Sequence, residues 1–106
     1  MLEIIKVIDR KPSPSLGQIW VRGESIFFIT CVSEGFLWTY KLSEGEVTEY
    51  AIDRQNSWRF KLFAGDSSAR DEVIDKIVDA LYEQDDIESA NRIYEIEKLN
   101  QISASI

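Results

Sequence analysis

The residues best placed to act together are acids. Asp71, Asp75, Asp79 and Glu83 recur every four positions, so on a helix their carboxylates stand about 6 Å apart along one ridge. Like charges at that spacing cost roughly a few tenths of a kcal/mol each, and a row that costs stability invites a functional reason. A rigid carboxylate ridge can fill a Lys/Arg groove built for regularly spaced phosphates. That chemistry describes an acidic, nucleic-acid-mimicking inhibitor of a DNA- or RNA-binding machine. A plainer account is also available: the dipole of a helix start favours Asp71, Glu72 and Asp75, leaving Asp79 and Glu83 as solvated charges.

Other chemistry is scarce. The chain has no histidine and a single cysteine, which removes the commonest general base, the commonest transition-metal ligand and any internal disulfide. Cys31 lies between Thr30 and Val32 in an apolar run and is expected to be a small core residue. Glu34 and Glu44 fall in successive turns, where carboxylates are wet and poorly suited to acid/base work. F-A-G-D-S-S, residues 63–68, lacks the second glycine and the lysine of a phosphate-binding loop. The expectation is a protein that is not an enzyme, with no catalytic, metal or cofactor site.

Aromatic residues supply a further candidate surface. Trp20, Trp38, Tyr40, Trp58 and Phe60 alternate with Arg22, Lys41, Arg59 and Lys61, and such interleaving on a sheet can bind single-stranded nucleic acid by stacking and phosphate contact. Strict alternation places rings and cations on opposite faces, so core plus solvent is the simpler expectation. Trp20 is the exception, because Ile19 and Val21 compete for the core side; an exposed Trp20 would anchor a partner.

The elements that must carry these residues change character along the chain. Up to Phe63 the apolar period is two, with strands expected at Leu2 to Asp9, Leu16 to Arg22, Ser25 to Val32, Phe36 to Leu42, Glu46 to Ile52 and Ser57 to Phe63. Gly23-Glu24 and the repeated tripeptide Ser33-Glu34-Gly35 and Ser43-Glu44-Gly45 mark turns. The expected fold is therefore α+β: a small antiparallel barrel or curled sheet of about six strands over residues 2–63, then helices at about 68–84 and 86–103. Within it, G-Q-I-W-V-R-G-E-S-I-F-F-I-T and G-F-L-W-T-Y-K-L-S-E-G, spanning residues 17–45, resemble the small SH3-like β domains of short phage and bacterial accessory proteins. The resemblance implies a barrel and an adaptor role, and assigns no functional residue.

Asp66, Ser67 and Ser68 are candidate N-caps for the first helix, whose Val73, Ile74, Ile77, Val78 and Leu81 make one apolar side. Asp85-Asp86-Ile87-Glu88 offers a cap for a second, with one continuous bent helix as the alternative. In the second helix apolar residues fall at every third position, Ile87, Ala90, Ile93, Ile96, Leu99 and Ile102, a spacing that walks around a 3.6-residue helix. The spacing predicts two patches: Ile87, Ala90 and Tyr94 as one, Ile93, Ile96 and Leu99 as the other. One faces the domain and the other is left for a partner.

Length and charge complete the reading. A chain of 106 residues suits one domain, residues 1–66 forming the β part and 67–106 the helical part. Residues 1–66 carry 8 Lys/Arg against 9 Asp/Glu and residues 67–106 carry 4 against 10, so the acidity sits on the helices and suits a basic partner. No apolar run approaches the roughly 20 residues of a membrane span, and the start, M-L-E-I-I-K-V-I-D-R, reads as a strand rather than a signal peptide; a cytoplasmic location is expected. The function expected is a small protein-binding module, accessory or inhibitory, contacting another chain or a second copy of itself. Its apolar contacts would be Ile93, Tyr94, Ile96, Leu99, Ile102 and Trp20, and its acidic contacts the ridge residues. Direct nucleic-acid or membrane binding is not expected.

Overall fold

The computed structural model describes residues 7–8 and 13–105, and side chains over residues 13–101. Most of the first expected strand, from Leu2, and the side chain of Ile102 lie outside the described residues. The fold is α+β. Strands β2 (Ile19–Arg22), β3 (Ser25–Val32), β4 (Phe36–Ser43) and β5 (Glu46–Asp53) form a meander, and β6 (Lys61–Phe63) returns to pair with β2. The two-residue β1 (Val7–Ile8) adds to β6, so the antiparallel order is β1-β6-β2-β3-β4-β5. Helices α1 (Ser67–Glu83) and α2 (Ile87–Ser105) follow.

The sheet is open rather than closed into a barrel, with β1 and β5 at its two edges. Two contacts account for this. β1 occupies the free side of β6, and part of the free side of β5 is taken by the side chain of Gln84, the residue that ends α1, described below. Ser57 to Phe63 is not one strand. Asp53 accepts a hydrogen bond from the Gln55 backbone N–H at 2.9 Å and starts a 3₁₀ turn over Arg54–Arg59, leaving only three residues for β6. The local cap defeats the alternation of Trp58 and Phe60.

Both sheet faces are buried, which explains the near-continuous apolar run of β3. On one face Ile19, Ile26, Phe28, Tyr40 and Val47 pack against Val73, Ile74, Ile77, Val78 and Leu81 of α1 and against Ala90, Ile93 and Ile96 of α2. On the other face Trp20, Phe27, Ile29, Leu37 and Ile52 pack with Phe60. The 3₁₀ turn carries the chain from the β5 edge back to β6 beside β2. It brings the Phe60 ring to 5.0 Å from Phe27, edge to face, and to 6.1 Å from Trp20.

Trp20, expected at the surface, is therefore fully buried. Cys31, expected in the core, is exposed. The cause is a register shift between Ile29 and Cys31. Thr30 is the extra residue, its Oγ1 donating to the Trp38 carbonyl at 3.2 Å, and beyond it β3 no longer lies over buried positions.

The helical part is two helices. Asp66 caps α1 by accepting from the Ala69 N–H at 2.9 Å. At the far end Asp85 adopts φ +59°. Its N–H donates to the Tyr82 carbonyl at 3.1 Å and that of Asp86 to the Leu81 carbonyl at 2.9 Å, the paired bonds that end a helix through a left-handed residue. Asp86, rather than Asp85, caps α2, accepting from the N–H of Ser89 at 3.1 Å and its hydroxyl at 2.7 Å.

Candidate functional site

α2 presents three kinds of position. Ala90, Ile93 and Ile96 are buried against the sheet and α1. Ile87 and Tyr94 lie exposed on one flank, and Leu99 lies exposed about 140° away from Tyr94 around the axis. Ile93 and Ile96 are thus core, and so is Trp20; none of these three offers a side chain to a partner. The grouping by patches is corrected accordingly: Ala90 belongs with Ile93 and Ile96, and Leu99 does not share a face with them. Helical geometry explains this, because 90, 93 and 96 span about 120° of arc and can face one core, whereas each further step of three turns away from it.

The flank holding Ile87 and Tyr94 faces α1. Tyr94 is 47 % exposed and lies near Tyr82, itself 45 % exposed, with the Asp75 and Asp79 carboxylates also nearby. Partial burial raises the Tyr94 phenol above its ordinary pKa of 10.0, and Tyr82, Asp75 and Asp79 push in the same direction by disfavouring a second negative charge. Aromatic and acidic groups from two helices therefore lie near one another.

Asp71, Asp75, Asp79 and Glu83 are all exposed on α1. A four-residue repeat drifts by about 40° per step, so the ridge winds across the helix. Asp75 lies by Tyr94, while Asp79 and Glu83 also border a groove of about 460 Å³ with Lys76, Glu44 and an apolar floor that includes Ile26 and Leu42. Among the described residues no group of three or more histidine, cysteine, aspartate or glutamate side chains is arranged to hold a metal ion. Glu34 and Glu44 are exposed on their turns.

Cations and rings meet on the sheet face away from the helices. Lys41 Nζ lies 5.1 Å from the Tyr50 ring and 5.9 Å from Phe27, and the Arg22 guanidinium lies 5.7 Å from Phe60. Arg59 stands 5.1 Å from Trp58, which is 71 % exposed on the 3₁₀ turn. Lys41 and Tyr50 share this face because Tyr50 pairs with Thr39. Register across strands brings together what alternation along one strand keeps apart.

Three functional or positioning features carry little sequence signal. Tyr82 completes the Tyr94 site, and only its helical position beside Asp75 and Asp79 hints at it. Arg70, from the first turn of α1, pairs with Glu97 of α2 and donates to the Gly17 carbonyl at 2.6 Å, while Asn100 Nδ2 donates to the Leu16 carbonyl at 2.9 Å. Together they clamp both helices to the loop before β2. Gln84 is the third: its side-chain amide accepts from the Val47 N–H at 2.6 Å and donates to the Val47 carbonyl at 2.9 Å.

Comparison of the chain with models of protein families, with curated proteins and with solved structures found no match. Among the described residues no helix is long and apolar enough to cross a membrane.

Proposed function

We propose that this chain is a small acidic, non-enzymatic protein-binding module, accessory or inhibitory to a basic partner, which it engages through the outer flank of α2 and the adjoining acidic ridge of α1. The observation behind this proposal is Tyr94, half-exposed and near Tyr82, Asp75 and Asp79. Aromatic side chains with a polar end make effective contact anchors, and carboxylates around them select a cationic surface. Net acidity of the helical part argues against a second copy as the occupant, since pairing would bring like charges together.

A blocked peptide of about 18 residues, five helical turns of lysine and leucine on opposite faces, tests this. Binding is expected at moderate ionic strength, weakened by salt and reduced about tenfold or more by Tyr94→Ala. An unchanged affinity in Tyr94→Ala would refute the reading.

A second reading rests on the cation and ring pairs of the opposite sheet face. Trp58 with Arg59 and Tyr50 with Lys41 suit stacking and phosphate contact with single-stranded nucleic acid. Single-stranded oligonucleotides that leave tryptophan fluorescence unchanged would dismiss it.

A further inference from the structure

β5 is an edge strand of eight residues, and its free side is only partly closed. In an antiparallel pair, N–H and C=O groups of alternate residues point together toward or away from the neighbour. Val47 gives both of its groups to Gln84, so it points away from β4. By alternation Glu49 and Ala51 do the same, while Thr48, Tyr50 and Ile52 face β4. The Gln84 amide thus occupies the place of an added strand at one residue, and among the described residues the stretch from Glu49 to the start of the 3₁₀ turn is open.

Edges of this kind are commonly guarded by lysine, proline or a bulge. β5, E-V-T-E-Y-A-I-D, has none of these. Its charges are all acidic: Glu46, Glu49 and Asp53. The adjoining groove toward α2 adds Glu88 and Glu95 beside Glu49, against one cation, Arg92. Two copies paired through β5 would oppose these carboxylates with their own.

We infer that the open part of β5, from Glu49 to Asp53, takes up an extended basic segment of a partner protein by strand addition, backbone bonds supplying affinity and the surrounding carboxylates selecting lysine or arginine. This surface is distinct from the α2 flank, and either can fail without the other. Gln84 sets where the added strand must stop.

The test is a nuclear magnetic resonance titration of the ¹⁵N-labelled full chain with a blocked peptide of about seven residues alternating lysine and valine, roughly the length that spans such an edge. A control peptide has glutamate in place of lysine. The expected result is shifted and exchange-protected amides at Glu49 and Ala51, with at least about tenfold preference for the lysine peptide. Ala51→Pro, which removes an outward N–H without breaking the β4 ladder, should abolish binding. Should that variant fail to fold, Glu49→Lys keeps the strand and should reverse the preference between the two peptides. Gln84→Ala should extend the protected stretch to Val47. The inference is overturned by any of three results: Glu49 and Ala51 unperturbed up to millimolar peptide, shifts confined to the helices, or equal affinity for the glutamate peptide. A concentration-dependent doubling of mass with β5 protected and no peptide present would also overturn it, by making a second copy the occupant.

Discussion

Gly17 sits where three elements meet, with φ +84° and no space for a side chain, since a Cβ would run into the Asn100 amide and lie 3.3 Å from an Ile96 methyl. Gly17→Ala is expected to cost about 2 kcal/mol or more, from the left-handed backbone and the displaced clamp together, read from the denaturant midpoint. Asp85 presents the opposite case. It holds φ +59° without being glycine, so Asp85→Gly should stabilise by about 1 kcal/mol, measured the same way. Tyr94 gives a pH signature. Its folded-state pKa is raised above 10.0, so its contribution to stability is complete below pH 10.0 and is lost as pH rises through the folded value. Asp75→Asn should bring the Tyr94 titration back toward 10.0 in ring-carbon resonance spectra. At this scale the sequence was least legible. Trp20 and Trp58 exchange the places that alternation assigns them: a local cap at Asp53 turns Trp58 out on the 3₁₀ turn, and Trp20 is covered by Phe60, 40 residues later in the chain.

Elements were more legible than their residues. The change from period two to period 3.6 after Gly65 marks the β and α parts, and Asp66 marks the start of α1. The three-residue beat of α2 also shows that the helix has more than one kind of face, but it does not say where the buried seam ends. That depends on the width of the sheet and of α1 beneath it. Ile96→Asp is therefore expected to unfold the protein, a buried unpaired carboxylate costing several kcal/mol. Leu99→Asp, at a position 56 % exposed, should leave the thermal midpoint nearly unchanged. Circular dichroism melts of the pair decide the point. Gln84 was illegible altogether: nothing in a glutamine at a helix end announces two hydrogen bonds to a strand 37 residues earlier. Open edge and barrel differ by such contacts, which composition cannot reveal.

At the scale of the molecule, charge and fold divide the same way. The nearly neutral β part carries the cation and ring pairs on its outer face, and the acidic helices cover the other. Such polarity favours association with a basic partner over self-association, and sedimentation across a range of concentrations at moderate salt should give one chain mass throughout. The acidic asymmetry was legible in the sequence by counting; its coincidence with Tyr82 and Tyr94 was not, since it requires two helices to meet. Mapping backbone amide shifts on addition of the helical lysine-leucine peptide tests that meeting most directly as a binding surface. Shifts are expected at Asp75, Asp79, Tyr82, Ile87 and Tyr94, diminishing as salt is raised. Shifts clustered instead around Tyr50 and Trp58, or none at millimolar peptide, would contradict it.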